Sequence, residues 1–372
     1  MLTLVLSFLM SFALVFAISP AMIRIAYHKG LMAEPIDRSS HKVSTPCIGG
    51  IPIFIGIIFT TMLLTPHTQW EELQFILSAM VIVFLVGVKD DIEGLSPRHK
   101  LIGLIVAISI LVSRGEVQLH SMYGLLGSEG AFPKWLCLLI SGFTLIVITN
   151  AFNLIDGING LSGTIGTIAS LSFGTYFFMV DELYLGVLSM TTAGSLIAFL
   201  RFNITPARTF MGDTGALIVG LLLGVMAIKF ISVASDPATP ALYAFFNPVA
   251  IAVSILIIPL FDTIRVFTTR IIRGQSPFEP DRRHIHHLLV DSGLDHMQAT
   301  TILGLANMFF ISTIFALDEY LELHALIALQ LGIALLATFF LHRNVRRINA
   351  TKLSEEVAAN EQAVTDPQIE QV

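Results

Sequence analysis

Charge is what this sequence has least of. Only 13% of its 372 residues are Asp, Glu, Lys or Arg, about half the load of an ordinary soluble domain. That excludes a conventional water-soluble fold; the net charge of −6 says little, because charges in such a chain segregate by side, and no nucleic acid is expected among the partners. Cysteine is nearly missing too. Cys47 and Cys137 cannot build a disulfide scaffold or a zinc cluster, and both read as small buried residues at helix starts. No basic residue precedes the first apolar run, MLTLVLSFLMSFALVFAIS. Arg24 and Lys29 follow it, as expected for a first spanning helix rather than a cleaved signal peptide. Alternating apolar and polar residues are absent from the runs, which excludes a β-barrel. There is no internal repeat of the transporter type.

What remains is overwhelmingly apolar, 54% hydrophobic with a mean hydropathy of +0.79. Runs of 17 to 22 apolar residues recur, long enough to cross a ~30 Å hydrocarbon core as helices. The expected fold is an all-α, polytopic helical bundle. Eleven spans are predicted near 2–23, 47–65, 72–88, 99–114, 133–151, 161–180, 184–200, 214–234, 243–263, 297–317 and 323–342. Of the 21 lysines and arginines, 18 fall on one set of connections; Arg114, Lys134 and Lys229 are the exceptions. The positive-inside rule puts that set in the cytoplasm, the N-terminus outside and the C-terminus inside. One membrane catalytic domain is expected over 1–342, with a substrate-binding loop at 264–296 and a polar tail, 343–372, whose composition predicts disorder.

The polar clusters gather on the cytoplasmic side. In GVKDDIEGLSPRHK, the adjacent carboxylates Asp90 and Asp91 repel one another and stay ionised most easily beside a divalent cation or basic groups. A solvated helix cap is the plain alternative, but ionisable residues at membrane depth point to function. In NAFNLIDGINGLSG, Asn150, Asn153, Asp156 and Asn159 recur every third residue, which lines one face of a helical turn. Amide and carboxylate oxygens suit a hard cation such as Mg²⁺, and amides can also read a base edge. A turn-rich capping loop is the alternative. In RFNITPARTFMGDTGALIVG, Asp213 stands just before an apolar helix, where backbone N–H groups favour anions, with Arg201 and Arg208 in the same loop. An ordinary cap would explain Asp213 alone.

The longest polar loop, RVFTTRIIRGQSPFEPDRRHIHHLLVDSG, carries Arg282, Arg283, His284, His286 and His287. Adjacent arginines and the lack of cysteine favour phosphate recognition over zinc. Arg38, His41, Lys42 and Thr45 lead into the second span, suited to a lipid phosphate at headgroup level or simply to anchoring on the positive side.

In this order, the Asp90-Asp91 pair with His99-Lys100, NxxNxxDGxxG, FMGDxG and HIHH resemble the polyprenyl-phosphate N-acetylhexosamine-1-phosphate transferases, over residues 38 to 290. The SPFxPDRxHIHH form is most similar to the branch that uses UDP-GlcNAc. The resemblance implies transfer of GlcNAc-1-phosphate from UDP-GlcNAc to undecaprenyl phosphate with release of UMP, in the bacterial inner membrane, at the start of O-antigen and enterobacterial common antigen synthesis. Another UDP-N-acetylhexosamine or UDP-MurNAc-pentapeptide is the nearest alternative, although that last branch has three consecutive histidines where Ile285 interrupts this run. The resemblance makes Asp213 and Asn153 ligands of Mg²⁺, with Mn²⁺ as a substitute. It puts Asp90 and Asp91 beside the metal and the lipid phosphate, Asp90 to deprotonate or position the attacking group. Lys100 then holds the lipid phosphate. Asn159 faces the uracil with Asp156 close by, and Arg282, Arg283 and the histidines clasp sugar and diphosphate. Many relatives have DGxDG where this chain has DGING. Direct in-line attack on the β-phosphorus is expected, with a two-step aspartyl-phosphate route as the alternative. A second copy of the chain is a further candidate partner. From a different class, a cation-coupled transporter would need charged residues in mid-span.

Overall fold

A computed structural model describes residues 1–33, 44–127, 130–275 and 283–365. Ten of the eleven predicted apolar runs each fall on a single helix, yet fewer of them qualify as spans. Among the described residues, six helices are long and apolar enough to cross a membrane, or seven if one sharply bent pair counts as a single span. Helix α2 (Gly50–Leu64) has 15 residues, about 22 Å of rise. Helix α4 (Pro97–Arg114) includes Arg98, Lys100 and Arg114, and α6 (Leu161–Met179) is diluted by glycine, serine and threonine.

The run at 243–263 is not one straight helix. Pro248 opens α9 (Pro248–Ile255), and α10 (Ile257–Ile272) leaves it at 81° across Leu256. The last helix, α13 (Leu323–Thr365), continues through the polar stretch for which composition predicts disorder. A two-residue pair, β1 (Met32–Ala33) with antiparallel β2 (Thr45–Pro46), is the only strand pairing among the described residues.

The bundle is organised around α8 (Gly212–Ala234), whose apolar window is 89% buried, against 28% for α1 (Leu2–Lys29) and for α13. A helix apolar on all sides packs at the centre, and the outer helices turn their large side chains toward lipid. Leu9, Phe143, Phe309 and Phe340 are exposed in this way. Helix α1 buries the stripe Ser7, Ser11, Val15, Ser19 and Ile23, spaced by four. Ser11 donates to the Thr191 carbonyl at 2.7 Å on α7 (Leu183–Asn203), the small-residue and hydroxyl contact that joins helices in lipid.

The same logic governs the N-terminal end of α8. A Cβ on Gly50 would lie 2.2 Å from the Gly215 nitrogen, and one on Gly87 would lie 2.4 Å from the Thr214 Cα. Only glycine lets α2 and α3 (Trp70–Glu93) approach the first turn of α8 this closely. That approach builds the site.

Candidate functional site

Four segments meet at one place: the C-terminal turn of α3, the first turn of α4, the end of α5 (Lys134–Leu154) with its following loop, and the first turn of α8. Neighbours on a helix point about 100° apart, and this splits the carboxylate pair. Asp91 turns toward α8, where it accepts from the backbone N–H of Asp213 at 2.8 Å and of Thr214 at 3.0 Å, and from the Thr214 hydroxyl at 2.6 Å. It caps a helix far away in sequence, satisfying N–H groups that have no partner within α8. Gly212 makes room: its φ is +69°, and a Cβ there would meet Asp91 Oδ2 at 2.7 Å.

Asp90 turns the other way. It accepts from the Leu95 N–H at 2.5 Å and pairs with Lys100 Nζ at 3.3 Å. Lys100 also pairs with Asp213, whose other oxygen accepts from Asn153 Nδ2 at 2.7 Å. Asp156, in the loop after α5, accepts from the Ser162 hydroxyl at 2.5 Å. Burial pushes Asp156 up to about 7 and Asp91 up to about 6, with the charge of Asp213 adding to both. Burial and Asp213 also raise Asp90. Four carboxylates thus influence one another, and Lys100 is the cation recorded in ion pairs with them. The excess negative charge and the oxygen donors suit a hard divalent cation, although no group of three or more His, Cys, Asp or Glu among the described residues is arranged as a ready-made metal site. As arranged, the Lys100 ammonium neutralises Asp90 and Asp213, and Asn153 offers its NH₂ rather than its oxygen to Asp213.

The histidine run joins this cluster from the opposite side. Helix α11 (Ile285–Asp291) sets His286 against the DGING loop, so closely that a Cβ on Gly157 would lie 2.2 Å from His286 Nε2. Burial holds His286 neutral, down at about 3, with the neighbouring His287 acting in the same direction. The His284 and His286 rings stack 5.6 Å apart, and those of His286 and His287 lie 4.3 Å apart. Gly157→Ala therefore forces the buried His286 ring to move, and turnover is expected to fall about a hundredfold, as for other misplacements near 1 Å. Steady-state rates beside an unchanged thermal transition would check this.

Asn159 is placed differently from the residues around it. It is 6% exposed; its Nδ2 donates to Thr205 Oγ1 at 2.9 Å and its carbonyl accepts from Thr300 at 2.8 Å. The side chain ties the loop to its neighbours and is enclosed rather than open to a base. Arg283 directs its guanidinium to Gln275 Oε1 at 3.1 Å. His41, Lys42 and Arg282 lie outside the described residues.

Sequence reasoning missed two residues. Asn203 accepts from the Gly160 N–H at 2.7 Å and donates to the Thr209 carbonyl at 2.9 Å, holding the DGING and FMGD loops together. Asp262, 1% exposed, accepts from His284 Nδ1 at 2.9 Å and from Arg265 at 2.8 Å. A signal for Asp262 existed: it is a carboxylate inside an apolar run.

A family model, glycosyl transferase family 4, matches residues 73–231, which include Asp90, Asp91, Lys100, Asn153, Asp156 and Asp213. Named relatives agree. A probable undecaprenyl-phosphate N-acetylglucosaminyl 1-phosphate transferase of Bacillus subtilis is 29% identical over 83% of this chain and 84% of its own length. A decaprenyl-phosphate N-acetylglucosaminephosphotransferase of Mycolicibacterium smegmatis is 28% identical over 76% and 74%. The undecaprenyl-phosphate alpha-N-acetylglucosaminyl 1-phosphate transferase of Escherichia coli K12 is 28% identical over 80% and 79%.

Proposed function

We infer that this chain, a membrane phosphotransferase homologous to the polyprenyl-phosphate N-acetylglucosaminyl 1-phosphate transferases, moves GlcNAc-1-phosphate from UDP-GlcNAc onto undecaprenyl phosphate at the cytoplasmic face of the bacterial inner membrane. The observation that carries the reading is the convergence of Asp90, Lys100, Asn153, Asp156 and Asp213 at helix ends, with His286 packed on the same loop. Both reactants are anions, so the site must cancel their repulsion before aligning them, and positioning with electrostatics is the main catalytic contribution in phosphoryl transfer.

In the reaction, a phosphate oxygen of the lipid attacks the β-phosphorus of the nucleotide. The bond from that phosphorus to the UMP oxygen breaks, and UMP leaves. Lys100, held between Asp90 and Asp213, is the cation that turns to the incoming phosphate. Asp90 orients that attacking group. Asp91 acts through α8, fixing Asp213 without facing a substrate. Asp156, held by the Ser162 hydroxyl within reach of the Asp213 charge, supports the site from the loop after α5. Asp213 and Asn153 would hold Mg²⁺, with Mn²⁺ as a substitute, and the ion would supply positive charge to the diphosphate. The histidines contact the diphosphate from the α11 side. The product would feed O-antigen or enterobacterial common antigen assembly.

The bend between α9 and α10 is a feature that transporters built on broken helices also have. Its residues Ile255, Leu256 and Ile257 are apolar and at most 3% exposed, and the Ile255 carbonyl accepts from Asn307 Nδ2 at 3.2 Å. Purified protein given undecaprenyl phosphate, Mg²⁺ and a panel of UDP-sugars is expected to release UMP fastest from UDP-GlcNAc, and chelation with EDTA is expected to stop it. Equal rates from every UDP-sugar, or none from UDP-GlcNAc, would refute the assignment.

A further inference from the structure

We propose that Asp262 is the positioning residue of the histidine helix: it fixes the ring proton of His284 on Nδ1 and so sets which nitrogen the histidines present to the nucleotide-sugar diphosphate. The proposal rests on the substrate reading above.

Three donors converge on this buried carboxylate. His284 Nδ1 lies 2.9 Å from Oδ2, the Ile285 N–H 3.0 Å from Oδ1, and Arg265 Nη2 2.8 Å from the same oxygen. An ionised carboxylate only accepts, so the proton between it and His284 belongs to Nδ1. The other nitrogen, Nε2, then accepts when the ring is neutral and donates when the ring is charged. A carboxylate behind an imidazole sets its tautomer and orientation in metal sites and catalytic triads alike.

The same side chain fixes the backbone. Ile285 is the first residue of α11, and Arg265 reaches past Asp262 to the carbonyl of Arg283. The entry to HIHH is thereby fastened to α10 on both sides of His284. From there the contact passes outward: the His284 ring stacks on His286 at an interplanar angle of 10°, and His286 abuts Gly157, next to Asp156. The charged and titratable groups around Asp262 are Arg265 on its own helix and His284 and His286 from the α11 side. His287 and His296 act on His286 in turn. A loss of charge at Asp262 should change how the diphosphate is held and leave the polyprenyl phosphate untouched.

The test uses the full chain in detergent, labelled with ¹⁵N-histidine, with His284→Gln to identify the His284 signals. The wild type is expected to show the His284 proton on Nδ1. Asp262→Asn is expected to move it to Nε2 and to raise KM for UDP-GlcNAc about tenfold with KM for polyprenyl phosphate unchanged; Asp262→Glu should recover part of the loss. A wild-type proton on Nε2 would overturn the proposal, and this holds even if Asp262→Asn does not fold. So would an Asp262→Asn protein that loses thermal stability but keeps both KM values. If the wild type releases no UMP from any UDP-sugar, the substrate reading fails, while the nitrogen spectrum still decides the role of Asp262.

Discussion

Asp213→Asn is expected to lower GlcNAc-1-phosphate transfer about a thousandfold, the scale seen when a preorganised charge is removed from a reacting site. Asp213 contributes one oxygen to Lys100 and the other to Asn153. Asparagine would keep the shape and present an NH₂ to one of them, so an ammonium or an amide donor would face another donor. It would also remove the charge on which the proposed cation depends. The backbone N–H that Asp91 accepts is untouched by the change, so the thermal transition should stay where it is. UMP release by the purified variant measures the rate, and full turnover would remove Asp213 from the proposed metal site.

Asp91→Ala is expected to act through the fold, costing about 3 kcal/mol of stability and nearly all turnover. Its carboxylate satisfies two backbone N–H groups and one hydroxyl at the first turn of α8. Alanine would leave those donors buried without a partner, and Asp213 rides on the same turn. Asp91→Asn, which keeps one acceptor oxygen, should fall between. Asp90→Ala makes the contrast, because its partners are Lys100 and its own helix end. It should lose turnover with a nearly unchanged melting temperature. Thermal unfolding and UMP release measured on all three variants separate the two aspartates. Equal melting temperatures for Asp91→Ala and Asp90→Ala would mean that Asp91 is not a cap.

Much of this site was legible because polar residues stand out in so apolar a chain. Asp90, Lys100, Asn153, Asp156 and Asp213 each interrupt a greasy background, and they meet in space. The different tasks of Asp90 and Asp91 were not legible, since the pair reads as one motif until the α3 terminus is oriented against α8. Spacing by three placed Asn159 with Asn153 and Asp156, but the chain turns after Leu154, so the periodicity of a helix no longer applies there. The α9–α10 bend was hidden inside a continuous apolar run, where hydropathy carries no directional information. Asp262 was visible as a lone carboxylate, but its partner His284 is 22 residues away, and a single sequence does not announce such a pairing. The helices themselves were read from their apolar runs, and the number that qualify as spans depends on length and on dilution by small residues.

The contributing segments also enter the chain in a fixed order. Asp90, Lys100, Asn153, Asp156 and Asp213 are all synthesised before α9 begins, while the histidines come only with α11. The carboxylates are therefore made before the helix that sets His286 against Gly157. On the proposed function, a growing chain has no turnover until α11 has docked against the loop that carries Gly157.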